Sequence, residues 1–260
     1  MTEPLLEISD LRKSFGSTQV LAGVSLAVSQ GDIVSILGPS GSGKSTIFNI
    51  LTGAVQADAG SISFAATHLQ NHDRPFALMP QGDALLPWRR TVENAAIGLE
   101  VMGEPRRRAR ARAAALFEDF GLAGTERAWP RQLSGGMRQR VSFLRTVVQE
   151  RPVLLLDEPF GALDAITRES LQLWLLEMWA QAGWTIVMIT HDIREAVRLS
   201  DRVYVLTQKP ARFLGHVDIP RSIARGEGFY HDPRRPEAEE RLHELLLQAG
   251  ALENSLAGGS

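Results

Sequence analysis

The chain has 260 residues, 44% of them hydrophobic and 22% charged, with a formal net charge of −2 at pH 7 and no cysteine. That is the composition of an ordinary globular protein, long enough for one large α/β domain or for a core with an inserted subdomain. It excludes a disulfide framework, a thiolate metal site and a cysteine nucleophile, and it supplies no global charge attraction for nucleic acid or an anionic membrane.

In chain order, Met1-Thr-Glu-Pro4 runs straight toward a strand-like stretch without the basic and apolar regions of a signal peptide. No later run reaches bilayer length, so the expectation is a protein that neither is secreted nor spans a membrane by itself. Leu5–Ser9 and Val24–Val28 alternate apolar and polar residues, the pattern of half-buried strands. Ile33–Leu37 is wholly apolar apart from Ser35 and reads as a buried strand that delivers the chain to Gly38. Ile47, Ile50 and Leu51 then have helical spacing over Thr46–Leu51, with Gly53 as the expected cap.

From Thr91 to Gln149 the pattern is helical. Pro105 opens an Arg/Ala-rich helix expected to end near Gly121, and Val141, Leu144, Val147 and Val148 put a stripe on a helix that starts at Ser134. Val153–Leu156, Thr185–Thr190 and Val203–Leu206 read as buried strands separated by helices, which implies a largely parallel sheet covered on both faces. A tail from His216 carries Pro220, Gly226, Gly228, Pro233 and Pro236, then an amphipathic helix with Leu242, Leu245, Leu246 and Ala249 on one face. Gly250 is its expected cap, Ala257-Gly-Gly-Ser260 is expected to fray, and the helix is expected to pack on its own core.

Three segments carry chemistry. Gly38, Pro39, Ser40, Gly41, Ser42, Gly43, Lys44, Ser45 and Thr46 form a phosphate-binding loop between a strand and a helix. Its glycines let backbone N–H groups converge on phosphates, Lys44 (one of only three lysines, with Lys13 and Lys209) adds a point charge, and the Ser45 hydroxyl suits Mg²⁺. Leu133-Ser134-Gly135-Gly136-Met137 is a second phosphate grip: a hydroxyl and bare N–H groups at a helix start. Asp157 and Glu158 end an apolar strand at the sheet edge where α/β ligands sit. There Asp157 suits the Mg²⁺ shell and Glu158 the role of general base toward a water.

In this order the motifs resemble those of the ATP-binding subunits of ABC transporters, over roughly residues 5–210. The loop at Gly38–Thr46 resembles the Walker A motif, Val153–Asp157 the Walker B motif, and Leu133–Met137 the signature usually written LSGGQ, with Met137 as a departure. Gln81 resembles the Q-loop glutamine that reaches Mg²⁺ and the attacking water. Ala162-Leu163-Asp164 resembles the D-loop, His191 the switch histidine at the γ-phosphate, and Phe15 the aromatic that stacks on adenine.

The resemblance implies a P-loop NTPase (ABC-type ATPase) fold: an α/β core with a mixed, mainly parallel sheet, an inserted helical subdomain and a short helical tail. Its implied division is 1–88 (core, first part), 89–150 (helical subdomain), 151–215 (core, second part) and 216–260 (tail). ATP and Mg²⁺ are the implied ligands. Two copies are implied to pair head-to-tail, with Ser134, Gly135, Gly136, Met137 and Asp164 acting in trans on the partner's nucleotide.

Gln81-Gly-Asp-Ala-Leu85-Leu86-Pro87-Trp88, Met137, Thr190-His-Asp-Ile-Arg-Glu-Ala196 and Lys209-Pro-Ala-Arg212 are similar to the nitrate/taurine/sulfonate/bicarbonate branch of bacterial importers. Importers in or near that branch carry pyrimidine precursors or riboflavin. The expected partners are therefore an integral membrane permease and, indirectly, an extracytoplasmic solute-binding protein. The expected location is the cytoplasmic face of the inner membrane, and no nucleic acid is expected. Leu85–Trp88 has two readings at this stage, buried core or an exposed patch that receives a permease helix. The Arg106–Arg112 run reads as a solvated face. A soluble ABC protein acting on nucleic acid or ribosomes is the alternative function.

Overall fold

The computed structural model describes residues 3–69, 75–223 and 225–257. Its centre is a six-stranded sheet. β3 (Ile33–Leu37), β6 (Phe76–Met79), β7 (Val153–Asp157), β8 (Thr185–Thr190) and β9 (Arg202–Leu206) run parallel in the order β9-β3-β8-β7-β6, with β10 (Phe213–Asp218) antiparallel at the β9 edge. The strands are short apolar runs because both faces are covered. Along β7 and β8, Leu154, Leu156, Ile186 and Met188 face one core, while Val153, Leu155, Val187 and Ile189 face the other.

The second of those cores lies under α1 (Lys44–Leu51) and a separate antiparallel sheet. That sheet is formed by β1 (Leu6–Phe15), β2 (Thr18–Val28), β4 (Ala59–Phe64) and β5 (Thr67–His68), in the order β2-β1-β4-β5. The strands foreseen at Leu5–Ser9 and Val24–Val28 thus pair with each other at the open end of a longer hairpin, and this hairpin belongs to a sheet of its own. Gly60 makes its closest packing possible: at φ +94°, a Cβ there would stand 2.5 Å from the Asp10 carbonyl oxygen.

The first core is covered by α2 (Thr91–Ala95), α3 (Ile97–Val101), α4 (Arg106–Ala115), α5 (Gly135–Val147) and α6 (Ala165–Ala182). Trp174 packs edge-on against Phe120 and Phe143, and Trp184 against Phe143, at centroid distances of 5.2 to 5.4 Å, which fastens α5 and α6 together. α4 stops at Ala115, short of the expected Gly121. Leu116 and Phe117 bond back to Ala113 and Ala114, a tightening that turns Phe117, Phe120 and Leu122 inward. Three arginines of α4 are committed to carboxylates: Arg110 to Glu93 at 2.9 Å, Arg108 to Glu104 at 3.0 Å, and Arg112 to Glu104 at 2.8 Å and Glu150 at 2.6 Å.

A third core joins α7 (Ile193–Leu199), β9 and the tail helix α8 (Arg235–Ala257) through Val197, Val203, Phe229, Leu242, Leu245 and Ala249. The tail therefore packs on its own chain, on the face foreseen. α8 does not end at Gly250 but runs on to Ala257, since one glycine inside a helix costs only about 1 kcal/mol. The last three residues, expected to fray, lie outside the described residues. Among the described residues no helix is long and apolar enough to cross a membrane.

Candidate nucleotide site

The parallel strands bring their carboxyl ends to one level. Leu37 pairs with Thr190, Ile189 with Asp157, and Leu156 with Met79. Four connections therefore leave the sheet side by side, carrying Gly38–Thr46, His191, Asp157-Glu158 and Gln81. This is the crevice where open parallel sheets place their ligands.

The loop after β3 is shaped by close approaches. Gly38 lies against β9, where a Cβ would meet the Leu206 carbonyl oxygen at 2.8 Å, and Gly43, at φ +109°, would meet Val20 at 2.8 Å. Lys44 is buried, and its Nζ donates to the carbonyls of Gly38 and Pro39, both at 2.8 Å, so the side chain curls back beneath the loop it closes. Burial pulls its ammonium below the usual value, while Glu158 and Asp157 push it back up. The Ser42 hydroxyl is buried with no hydrogen-bond partner among the described residues. No acidic residue stands in the first turn of α1, so the positive end of that helix faces the loop without a counter-charge.

Opposite the loop, Ser45 Oγ donates to Asp157 Oδ2 at 3.1 Å. Burial holds the Asp157 carboxyl above its ordinary range, against the Ser45 hydrogen bond. The backbone of Glu158 is in the left-handed region at φ +46°, fixed by its N–H donating to Ile189 O at 3.0 Å. Its carboxylate is gripped from both sides: Gln81 Nε2 donates to Oε2 at 3.0 Å, and His191 Nδ1 stands 3.4 Å from Oε1. Lys44, Ser45, Gln81, Asp157, Glu158 and His191 therefore form one cluster.

The remaining expected site residues lie apart from it. Ser134 caps α5, its Oγ accepting from Met137 N at 3.2 Å, with Gly135 and Gly136 forming the first turn. Asp164 caps α6 by accepting from Thr167 N at 3.0 Å, a bond that holds its carboxyl low. Both caps are exposed, and Ser134 bonds to its own helix rather than to the loop. Phe15, 50% exposed at the end of β1, has the Lys13 ammonium 5.3 Å from its ring centroid and otherwise faces solvent.

Several residues that sequence patterns do not single out hold these parts in register. Arg138 Nε donates to Asp83 Oδ2 at 2.8 Å. Arg145 donates to the carbonyls of Ala84 at 2.8 Å and Asp83 at 3.0 Å, which ties the segment after Gln81 to α5. Asn94, fully buried, accepts from Leu86 N at 2.7 Å and donates to the carbonyls of Leu86, Arg89 and Arg90 at 3.1 to 3.2 Å. That knot divides Leu85–Trp88 between the core and the surface. Leu85 packs on the core, while Trp88 is 70% exposed, with Val101 and Met102 also exposed on the neighbouring α3 end and Arg89 joined to Glu100 at 2.9 Å. Gln139, on α5, donates to the Pro159 carbonyl just past Glu158.

Residues 21–161 match the family described as ABC transporter. The chain is similar to the formylaminopyrimidine import ATP-binding protein ThiZ of Halalkalibacterium halodurans, 40% identical over 86% of this chain and 88% of that protein. It is equally similar to the aliphatic sulfonates import ATP-binding protein SsuB of Pseudomonas putida, 40% identical over 85% of this chain and 80% of that protein. Among solved structures, the bacterial ABC transporter cassette MJ0796, described as dimeric, aligns with a TM-score of 0.71 at 28% identity, covering 83% of this chain and 99% of that one.

Proposed function

The chain belongs to the ABC transporter family, and on that premise we propose that it is the ATP-hydrolysing subunit of a bacterial importer, working as a pair of copies beneath a separate membrane permease. The observation that carries this reading is the grip on Glu158: a carboxylate held between Gln81 and His191 beside the Ser45–Asp157 pair. A carboxylate in that place is oriented to take a proton from a water attacking the γ-phosphate.

Each residue has a task in this reading. The loop N–H groups and Lys44 hold the phosphates, Phe15 offers its open ring to adenine, and His191 and Gln81 keep Glu158 aimed. Ser45, Asp157 and Gln81 are oxygen donors of the kind Mg²⁺ takes alongside substrate phosphates, so the residues fit that ion. Bound there, Mg²⁺ neutralises phosphate charge. Ser134, Gly135, Gly136, Met137 and Asp164, standing away from their own chain's cluster, serve the nucleotide of the partner copy. The functional units are residues 1–88 with 151–215 as the ATP core, 89–150 as the helical subdomain and 216–260 as the tail.

Trp88, with Val101 and Met102, is the surface offered to the permease. That contact holds the subunit on the cytoplasmic face of the membrane, with a solute-binding protein acting beyond it. Equal identity to cassettes named for a pyrimidine and for sulfonates argues that cargo chemistry is not written in this subunit. An organosulfonate such as taurine, a pyrimidine, nitrate or bicarbonate all remain within the proposed solute class. The nucleic-acid alternative is not favoured, since Arg108, Arg110 and Arg112 of α4 are paired with carboxylates.

The test is Glu158→Gln, which keeps the size and loses the base. We expect ATP binding to persist, hydrolysis to fall by about 100-fold or more, and an ATP-dependent dimer to accumulate in size-exclusion chromatography. Hydrolysis at the wild-type rate would remove Glu158 from the role.

A further inference from the structure

Behind the His191–Glu158 pair, two helices bring together charged side chains to which no task has been given. Arg168 lies one turn into α6, past the Asp164 cap. Its Nη2 donates to the Leu163 carbonyl at 3.0 Å, and its Nη1 stands 3.7 Å from Asp192 Oδ2. Asp192 in turn caps α7, accepting from Arg194 N at 2.8 Å and Glu195 N at 3.1 Å, while its own N–H donates to Thr190 Oγ1 at 3.1 Å. The guanidinium therefore spans from the carbonyl just before Asp164 to the carboxylate just after His191. Arg168, Asp192 and Glu195 share with Glu158 and His191 the walls of a cavity of about 20 Å³.

We propose that Arg168 is a positioning residue for ATP hydrolysis: it couples the Ala162–Asp164 turn to the His191–Asp192 step, so that when a second copy of the chain presses on that turn, His191 is set against Glu158. This rests on the reading of Glu158, His191 and Asp164 given above.

The geometry supports the coupling in two ways. The Leu163 carbonyl and the Asp192 carboxylate belong to different helix starts, and a forked guanidinium holds both where a lysine reaches only one. Glu195, 6% exposed and accepting a hydrogen bond from Thr190, has an Oε1 with no hydrogen-bond partner among the described residues. It is faced by His191 and Asp192 just before its own helix, by Arg194 and Arg198 on that helix, by Arg168 and Glu169 from α6, by Glu158 after β7, and by Tyr230. Burial first, then Asp192 and Glu158, push its carboxyl up to about 8, over the opposing pull of Arg168. At neutral pH it is a neutral acid. Ionised, it becomes a further carboxylate competing for Arg168.

The experiment is steady-state ATP hydrolysis by the full chain, with Arg168→Ala, Arg168→Lys and Glu195→Gln measured beside Glu158→Gln from pH 6.5 to 9.5. We expect Arg168→Ala to lower kcat about tenfold or more with KM for ATP within about twofold of wild type, because no phosphate contact is removed. Arg168→Lys should recover only part of the loss. Normalised to pH 7, wild-type kcat should decline above about pH 8 while Glu195→Gln stays level, since an amide cannot ionise. If Arg168→Ala keeps the wild-type kcat, or Glu195→Gln shows the same alkaline decline as wild type, while Glu158→Gln is inactive, the coupling is wrong and the hydrolytic reading stands. If Glu158→Gln itself hydrolyses normally, the reading beneath the coupling fails.

Discussion

Gly136 has two separable reasons to be glycine. In trans, its bare N–H would face a partner's phosphate. In cis, a Cβ built on it would stand 2.9 Å from Thr167 Cγ2 and 3.8 Å from Leu171 Cδ1, where α5 meets α6. Gly135, its neighbour, has room: a Cβ there would meet Leu163 Cδ2 at 3.5 Å, an ordinary contact. Alanine in place of either glycine gains up to about 1 kcal/mol of helix propensity, but at Gly136 it also adds about 1–3 kcal/mol of overpacking. Gly136→Ala should therefore be less stable than Gly135→Ala by about 1–3 kcal/mol, or roughly 2–12 °C in Tm for a chain of this size. The strain has a specific relief. Thr167→Ser deletes the offending methyl and keeps the hydroxyl, so Gly136→Ala/Thr167→Ser should recover most of the difference while Gly135→Ala/Thr167→Ser gains nothing. Thermal unfolding without nucleotide isolates the intrachain effect, because no partner is then required. Equal Tm values for the two alanine variants, or no rescue by serine, would refute the packing argument and leave the partner's phosphate as the reason for both glycines.

Two further outcomes follow from buried polar groups. Asn94→Ala removes the four hydrogen bonds that knot residues 86–90 to α2. Urea unfolding should show a loss of about 2–4 kcal/mol, and a loss below about 0.5 kcal/mol would contradict the bonding described. Glu195 gives a pH-dependent stability. Its folded carboxyl titrates at about 8 against an ordinary value of 4.5. Its contribution is therefore fully present below the unfolded value and lost as pH rises through the folded one. Relative to Glu195→Gln, the wild type should lose on the order of 3 kcal/mol of stability between pH 5 and pH 9. Parallel urea midpoints for the two proteins across that range would show that the carboxyl is not held as described.

What was legible in the sequence is what depends on local spacing. The strand-loop-helix at Ile33–Leu51, the acidic pair after Val153–Leu156, and Ser134 as the start of a helix are short-range patterns with a physical cause, and each appears where the pattern places it. The helix stripe in the tail is the same kind of signal. The antiparallel sheet was half visible because β4 offers little alternation, and its tightest contact depends on Gly60 meeting Asp10 across fifty residues of chain. The residues around the site were invisible for a related reason. Asn94, Arg138 and Arg145 look like ordinary polar positions on helices, and only the folded chain shows whose carbonyls and carboxylates they reach. Arg168 and Glu195 belong to helices far apart in the sequence, which only the folded chain brings side by side. Glu195 stood inside a quoted motif, Thr190 to Ala196, but nothing in the string marks it as buried.

Gln81 and Trp88 are seven positions apart. One end touches the carboxylate proposed to do the chemistry; the other stands in open solvent. Between them, Asp83 and Ala84 are pinned to α5, and Leu86 is pinned to Asn94. Pinned at three successive places, the segment is a strut and not a loose loop. The place of the indole on the outer surface is thus fixed relative to the crevice by two arginines and an asparagine.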